Sequence, residues 1–200
     1  MTIAPAEIES RSLHVIEVAT ELFWRNGYDG VSIGDLVEAT GMNRYALYQT
    51  FGGKKEIFLA CLDHYSTEAY QQIQLFLEEP GIDPFDAARR ALIAKMLDPE
   101  MFPAGCLICT TAVDVAAKDQ DIAAKMEECS DAIGSLFAKG FAKAQAEGRA
   151  STSISPQAFA EMSTAIYFST GVQARMGRSR ESLLLAINQI VDSLKMKPST

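Results

Sequence analysis

The sequence predicts an all-α fold of about nine helices, and three observations carry that prediction. Apolar residues recur at helical spacing along nearly the whole chain. Residues that start and stop helices punctuate these stretches, with Ser32, Asn43 and Pro156 at starts and Gly27, Gly41 and Pro80-Gly81 at ends. No segment shows the alternating pattern of a strand, and there is no internal repeat or low-complexity tract.

In the first helix Leu13, Ile16, Ala19, Leu22 and Phe23 form an apolar stripe, ended by Asn26-Gly27 with the glycine as a left-handed cap. Ser32 followed three residues on by Asp35 reads as a capping box for a short helix whose Leu36 and Val37 face inward. Gly41 makes a turn, and Asn43 caps a second short helix anchored by Leu47 and ending near Phe51. A long helix from about 54 to 77 keeps Ile57, Phe58, Cys61, Leu62, Tyr65, Ala69, Ile73 and Phe76 on one face. Asp83 or Asp86 starts the next, with Ala87, Ala88, Ala91, Leu92 and Met96. Pro99 and Pro103 mark a loop before a helix from about 105 to 118. The following helix, about 121–147, aligns Ile122, Met126, Cys129, Ile133, Phe137 and Phe141. A polar linker, 148–155, leads to Pro156 in the first turn of a helix ending near Gly177, and a last helix starts between Ser179 and Ser182.

The chain of 200 residues is 48% hydrophobic, enough for a real core. No apolar run reaches the ~18 residues of a membrane span. The N-terminal residues show no signal-peptide pattern, so a cytoplasmic location is expected, with Cys61, Cys106, Cys109 and Cys129 as free thiols. No cofactor or metal is expected. The net charge of −8 argues against a nucleic-acid partner, but charge is distributed unevenly. From Ala39 to Lys55 there is no acid, while Arg44, Lys54 and Lys55 are basic, and Arg11 and Arg25 can add to the same end. Phosphate contact needs local charge rather than a basic total.

The second short helix is too polar and aromatic to be only a core helix, and its natural place is the major groove of DNA. The features Ala19, Leu22-Phe23, Gly27-Tyr28, Ser32, Asp35-Leu36, Glu38-Ala39, Gly41, Leu47-Tyr48, Phe51-Gly52, Lys54 and Phe58 together resemble the TetR family of bacterial regulators. The resemblance covers about residues 10–65. It implies a three-helix DNA-binding domain, placed at 8–54 with the helix-turn-helix at about 32–51. It also implies a C-terminal domain, 55–197, that binds an inducer and dimerises. Ser32, Asn43, Arg44, Tyr45, Tyr48, Gln49, Thr50 and Lys54 are the DNA-binding candidates. Arg44 suits a guanine edge and Gln49 an adenine, while Tyr48, Thr50 and Lys54 suit phosphates. Gly34, Tyr45, Ala46 and Thr50 depart from the usual pattern, which leaves the operator sequence open.

The last two helices are expected to form a homodimer seam, with apolar residues of the final helix at 183, 187, 190 and 194. Met96, Met101, Phe102, Cys106, Val113, Phe137, Phe141 and Tyr167 are candidates to line an effector pocket. Cys106 and Cys109, three apart on a helix, are candidates for redox sensing. The expected function is a repressor released from a palindromic operator by a small-molecule or thiol-reactive inducer, and not an enzyme. A thiol oxidoreductase using Cys106 and Cys109 is the first alternative, though the strands that surround a thioredoxin-type motif are missing. A helical protein-binding adaptor is the second.

Overall fold

The computed structural model describes residues 5–94 and 105–194. Among these, nine α-helices follow one another with no strand: α1 (Pro5–Asn26), α2 (Ile33–Thr40), α3 (Arg44–Phe51), α4 (Lys54–Leu77), α5 (Pro84–Ile93), α6 (Leu107–Asp114), α7 (Gln120–Ala146), α8 (Pro156–Arg175) and α9 (Arg180–Leu194). The all-α prediction holds. Two compact units arise, one from the described residues within Met1–Glu68 and Thr110–Met126, the other from those within Ala69–Cys109 and Glu127–Thr200. The first unit thus draws on later residues as well as the N-terminal helices, where the sequence draws one boundary after residue 54.

In the first unit, α1 buries Val15, Ala19, Phe23, Trp24 and Thr20. The buried row is centred on Val15, Ala19 and Phe23, one position round from the expected stripe, and Leu13 is exposed. Spacing reveals that a stripe exists, but two adjacent rows of a helix carry apolar residues here and only packing selects between them. Thr20 is tolerated inside because its hydroxyl donates to the Ile16 carbonyl at 2.7 Å. Phe23, Tyr28 and Phe58 form an aromatic cluster, with Phe58 4.8 Å from each of the other two rings.

The helix expected over 105–118 is shorter. It stops at Asp114, and a 3-10 turn follows at Ala116–Lys118. The departure frees Asp119 to cap α7, its Oδ1 accepting from the Asp121 and Ile122 amides at 3.0 and 3.2 Å.

In the second unit, α5 packs against α8 and α9. Asp83 is its cap, Oδ1 accepting from the Phe85 and Asp86 amides. Phe85, Phe141 and Phe159 stack in the core, Phe141 and Phe159 at 4.1 Å. The polar 148–155 segment is tied down by Gln145, whose amide donates to the Ser151 and Ile154 carbonyls at 2.7 Å each. The backbone just before α6 presses on α8. A Cβ at Gly171 would lie 2.4 Å from the Cys106 Cβ, and one at Gly105 would lie 2.6 Å from the Gly171 carbonyl oxygen.

Candidate nucleic-acid interface

The reading head is built from its caps outward. Ser32 Oγ accepts from the Asp35 amide at 3.2 Å, and Asp35 Oδ2 accepts from the Ser32 amide at 2.7 Å, which completes the expected capping box. Those hydrogen bonds hold the Asp35 carboxyl below its ordinary range. Gly41, at φ 68°, turns the chain so that its amide closes onto the Val37 carbonyl. Asn43 then caps α3, its Oδ1 accepting from the Ala46 amide at 2.9 Å. These devices fix α3 against α2, and buried Leu47 anchors it.

With Leu47 inside, the opposite face of α3 points out. Arg44, Tyr45, Tyr48, Gln49 and Thr50 are all exposed, Tyr45 by 75%. A tyrosine so exposed contributes nothing to this unit's own core, which makes its ring available to a partner. Ser32 and Asn43 are exposed beside it, although both side chains already serve as caps. Lys54, at the start of α4, sits with Nζ 4.3 Å from the centre of the Tyr28 ring, which orients its charge without neutralising it.

The basic island divides on inspection. Lys55 is held by Asp119 at 2.8 Å and Asp121 at 2.6 Å, which pushes its pKa well above the ordinary lysine range. Arg25 is paired with Glu21 at 2.8 Å. The acids that engage Lys55 lie far along the chain, so a count of neighbouring residues misses them. Arg44 and Lys54 carry no ion pair among the described residues and keep their charges available.

Residues 15–61 match the profile of bacterial regulatory proteins of the tetR family, and residues 86–190 match that of the tetracyclin repressor-like C-terminal domain. The chain belongs to the TetR family of transcriptional regulators. It is similar to the HTH-type transcriptional repressor ComR of Escherichia coli, 30% identical over 171 residues that cover 84% of this chain and 81% of ComR. Among solved structures it resembles the reduced form of E. coli NemR, with a TM-score of 0.85 at 16% identity over 96% of this chain and 100% of that one. It also resembles a cysteine mutant of the TetR-family regulator CifR, solved with 26-bp operator DNA, with a TM-score of 0.82 at 21% identity over 90% of this chain and 95% of that one. These two likenesses concern the fold. As a TetR-family member the chain is a DNA-binding transcriptional regulator, and neither the thiol oxidoreductase nor the adaptor reading is favoured.

The described effector candidates of this TetR-family chain lie in different settings. Met96, Met101 and Phe102 lie outside the described residues. Val113 belongs to the first unit and is 74% exposed. Cys106, Phe137 and Tyr167 are buried in the second unit. Phe141 borders a cavity of about 250 Å³, which Leu77, Ile82, Ala87, Lys143, Arg149 and Phe159 also line. Cys106, Phe137, Phe141 and Tyr167 thus lie in the interior and Val113 does not, and the sequence cannot separate a cavity wall from solid packing. All four cysteines are buried and none is in a disulfide. Cys109 donates its thiol to the Phe168 carbonyl at 3.2 Å. Burial pushes the Cys61 thiol up to about 12, which makes it inert.

Within the expected seam, the residues of the last helix divide between buried and exposed. Leu183, Ile187 and Val191 are buried within the chain as part of the second unit's core, where α9 packs on α5. Residues 183 and 187 therefore cannot serve a second subunit. Ile190 is exposed, and the side chain at 194 is outside the described set. Leu185 of α9 is exposed as well, and an open row runs along α8 to its C-cap, where Ala158, Met162, Ala165, Ser169, Val172 and Met176 are all exposed at alternating spacings of four and three.

Proposed function

We propose that the chain is a repressor that binds a palindromic operator as a homodimer and is released by a small effector. The observation that carries this reading is the outward face of α3, where Arg44, Tyr45, Tyr48, Gln49 and Thr50 project from a capped helix with the Arg44 charge available. Arg44 and Gln49 read base edges, Tyr48, Thr50 and Lys54 hold phosphates, and Ser32 and Asn43 add polar contacts. The DNA-reading residues fall within 8–54, and effector binding and dimerisation within 55–197. The α8 row supports a dimer, because a 3.5-residue repeat of small and apolar side chains is the pattern that packs helix on helix. The cavity of about 250 Å³ beside Phe141 is one space in the second unit that supports effector binding. Release requires the effector to bind the low-affinity state more tightly. The chain works without catalysis, in the cytoplasm. No helix among the described residues is long and apolar enough to cross a membrane.

Selection of bound sequences from a random duplex pool tests the reading. An inverted repeat is expected, with half-site centres about 34–36 Å apart or a multiple of that. Recovery of no enriched sequence overturns it. A thiol-reactive inducer is a second reading, favoured by one contact. Cys106 is buried with its Cβ against the Gly171 backbone, so the residue sits where the segment before α6 meets α8 and an adduct on its thiol needs local rearrangement. Peroxide release of operator by wild type but not by Cys106→Ser is its expected signature, and equal release by both sinks it.

A further inference from the structure

We infer that α1 carries a second phosphate-binding site, at Arg11 and His14, which grips the operator backbone beside the recognition helix. The inference rests on the DNA-binding reading and extends the contact surface beyond the helix-turn-helix and the start of α4.

Arg11 and His14 are three residues apart and exposed, so they stand one above the other on α1. They line a groove of about 290 Å³ whose other wall is the turn Thr40, Gly41 and Met42. That turn runs directly into Asn43 and Arg44, so the groove continues the surface presented by α3. Its own polar groups are satisfied internally. Thr40 Oγ1 donates to the Leu36 carbonyl at 2.6 Å and accepts from the Met42 amide at 3.2 Å. The wall is also open, since a Cβ at Gly41 would meet nothing within 4 Å.

The pairing of charges in the first unit is the second observation. Arg25 is paired with Glu21, Lys55 with Asp119 and Asp121, His64 with Glu68, Lys118 with Asp29 and Lys125 with Asp63. Four basic side chains of that unit have no carboxylate partner among the described residues: Arg11, His14, Arg44 and Lys54. Two of these are the cations already assigned to DNA. In a chain of net charge −8, basic side chains left without a carboxylate beside a DNA-reading surface mark where an external anion sits. A guanidinium fork suits phosphate, and the imidazole N–H adds a second donor to the same group. The sequence marks Arg11 as part of the basic end and gives His14 no DNA role by its type alone. The signal available was the exposed i, i+3 pair beside the buried Val15.

The test is the salt dependence of operator binding by the full chain, compared among wild type, Arg11→Gln, Arg11→Ala/His14→Ala and Arg25→Ala. The slope of log affinity against log salt is expected to fall by about 1 for Arg11→Gln and at least as much for the double variant. The selected DNA sequence and the circular dichroism spectrum should not change. Arg25→Ala, which removes an exposed but paired charge, should match wild type. Slopes unchanged in both groove variants overturn the inference, as does an equal fall in Arg25→Ala, which would reveal a general charge effect. Inorganic phosphate that binds wild type but not the double variant, with no change in DNA slope, would assign the groove to a free anion and also overturn it. Wild type that selects no DNA would instead defeat the regulator reading itself.

Discussion

Arg44 and Lys54 are both cations without an ion pair among the described residues, but their settings separate their roles. Arg44 is the first residue of α3 and fully in the open, where a planar fork can meet a base edge. Lys54 lies half-buried over Tyr28, suited to a fixed point charge. Arg44→Ala is therefore expected to relax base choice and weaken the preferred sequence by about 1–3 kcal/mol. Lys54→Ala should weaken all sequences alike and lower the salt slope by about 1. Competition binding with matched and mismatched duplexes at several salt concentrations distinguishes the two. A third basic residue, Lys55, has another function, since its pairing with Asp119 and Asp121 ties the first turn of α4 to the start of α7 within the first unit. The Lys55 hydrogen bond is the main cause that lowers the Asp119 carboxyl below its ordinary 3.8. Its folded value lies below the unfolded one, so the stabilisation is fully present above that pH and is lost as pH falls through the folded value. Lys55 is shifted upward, so its part is present below 10.5 and lost only in strong alkali. The tether is charged on both sides throughout the neutral range. Asp119→Asn should flatten the acid side of the stability curve and leave its shape between pH 6 and 8 unaltered, as thermal unfolding at stepped pH will record.

At the level of elements, most of the chain was legible before any coordinates. The bounds of α4 agree with the periodicity, and Ser32, Asn43, Gly27 and Gly41 take the capping places their chemistry suggests. Local hydrogen bonding decides such features, and local residues encode it. The choice of face was less legible. α1 rotates its buried row to Val15, Ala19 and Phe23, and α9 turns Leu183, Ile187 and Val191 toward α5. A helix with apolar residues on adjacent rows can dock in either way, and the decision belongs to its neighbours. The consequence for assembly is specific. Ala165 lies in the middle of the exposed α8 row, so a charge there leaves the monomer core intact. Ala165→Glu is expected to give a monomer by sedimentation and to reduce operator affinity by at least tenfold, while helical content is kept. A dimer that persists in this variant would place the subunit contact elsewhere.

At the scale of the molecule, acidity and DNA binding are reconciled by where carboxylates fall rather than by how many there are. The net charge of −8 keeps the chain from holding anions indiscriminately, while ion pairs engage most basic side chains of the first unit. The pairing of Lys55 with residues 119 and 121 was invisible to a reading by neighbourhood, because it spans more than sixty positions of sequence. The cavity beside Phe141 was equally hidden, since a phenylalanine has the same composition signature whether it faces a void or another ring.

The join between Gly171 and the residues before α6 bears on how this chain can vary. Both partners meet through missing atoms, so neither position is independent of the other. Gly171→Ala alone drives one β-carbon into another and is expected to cost about 1–3 kcal/mol, the usual range for an overfilled interior. Cys106→Gly removes the opposing carbon, and the double variant should recover part of that loss in chemical denaturation. Positions 106 and 171 would then drift together through a lineage, so that a side chain gained on α8 is admitted only after one has been surrendered at 106.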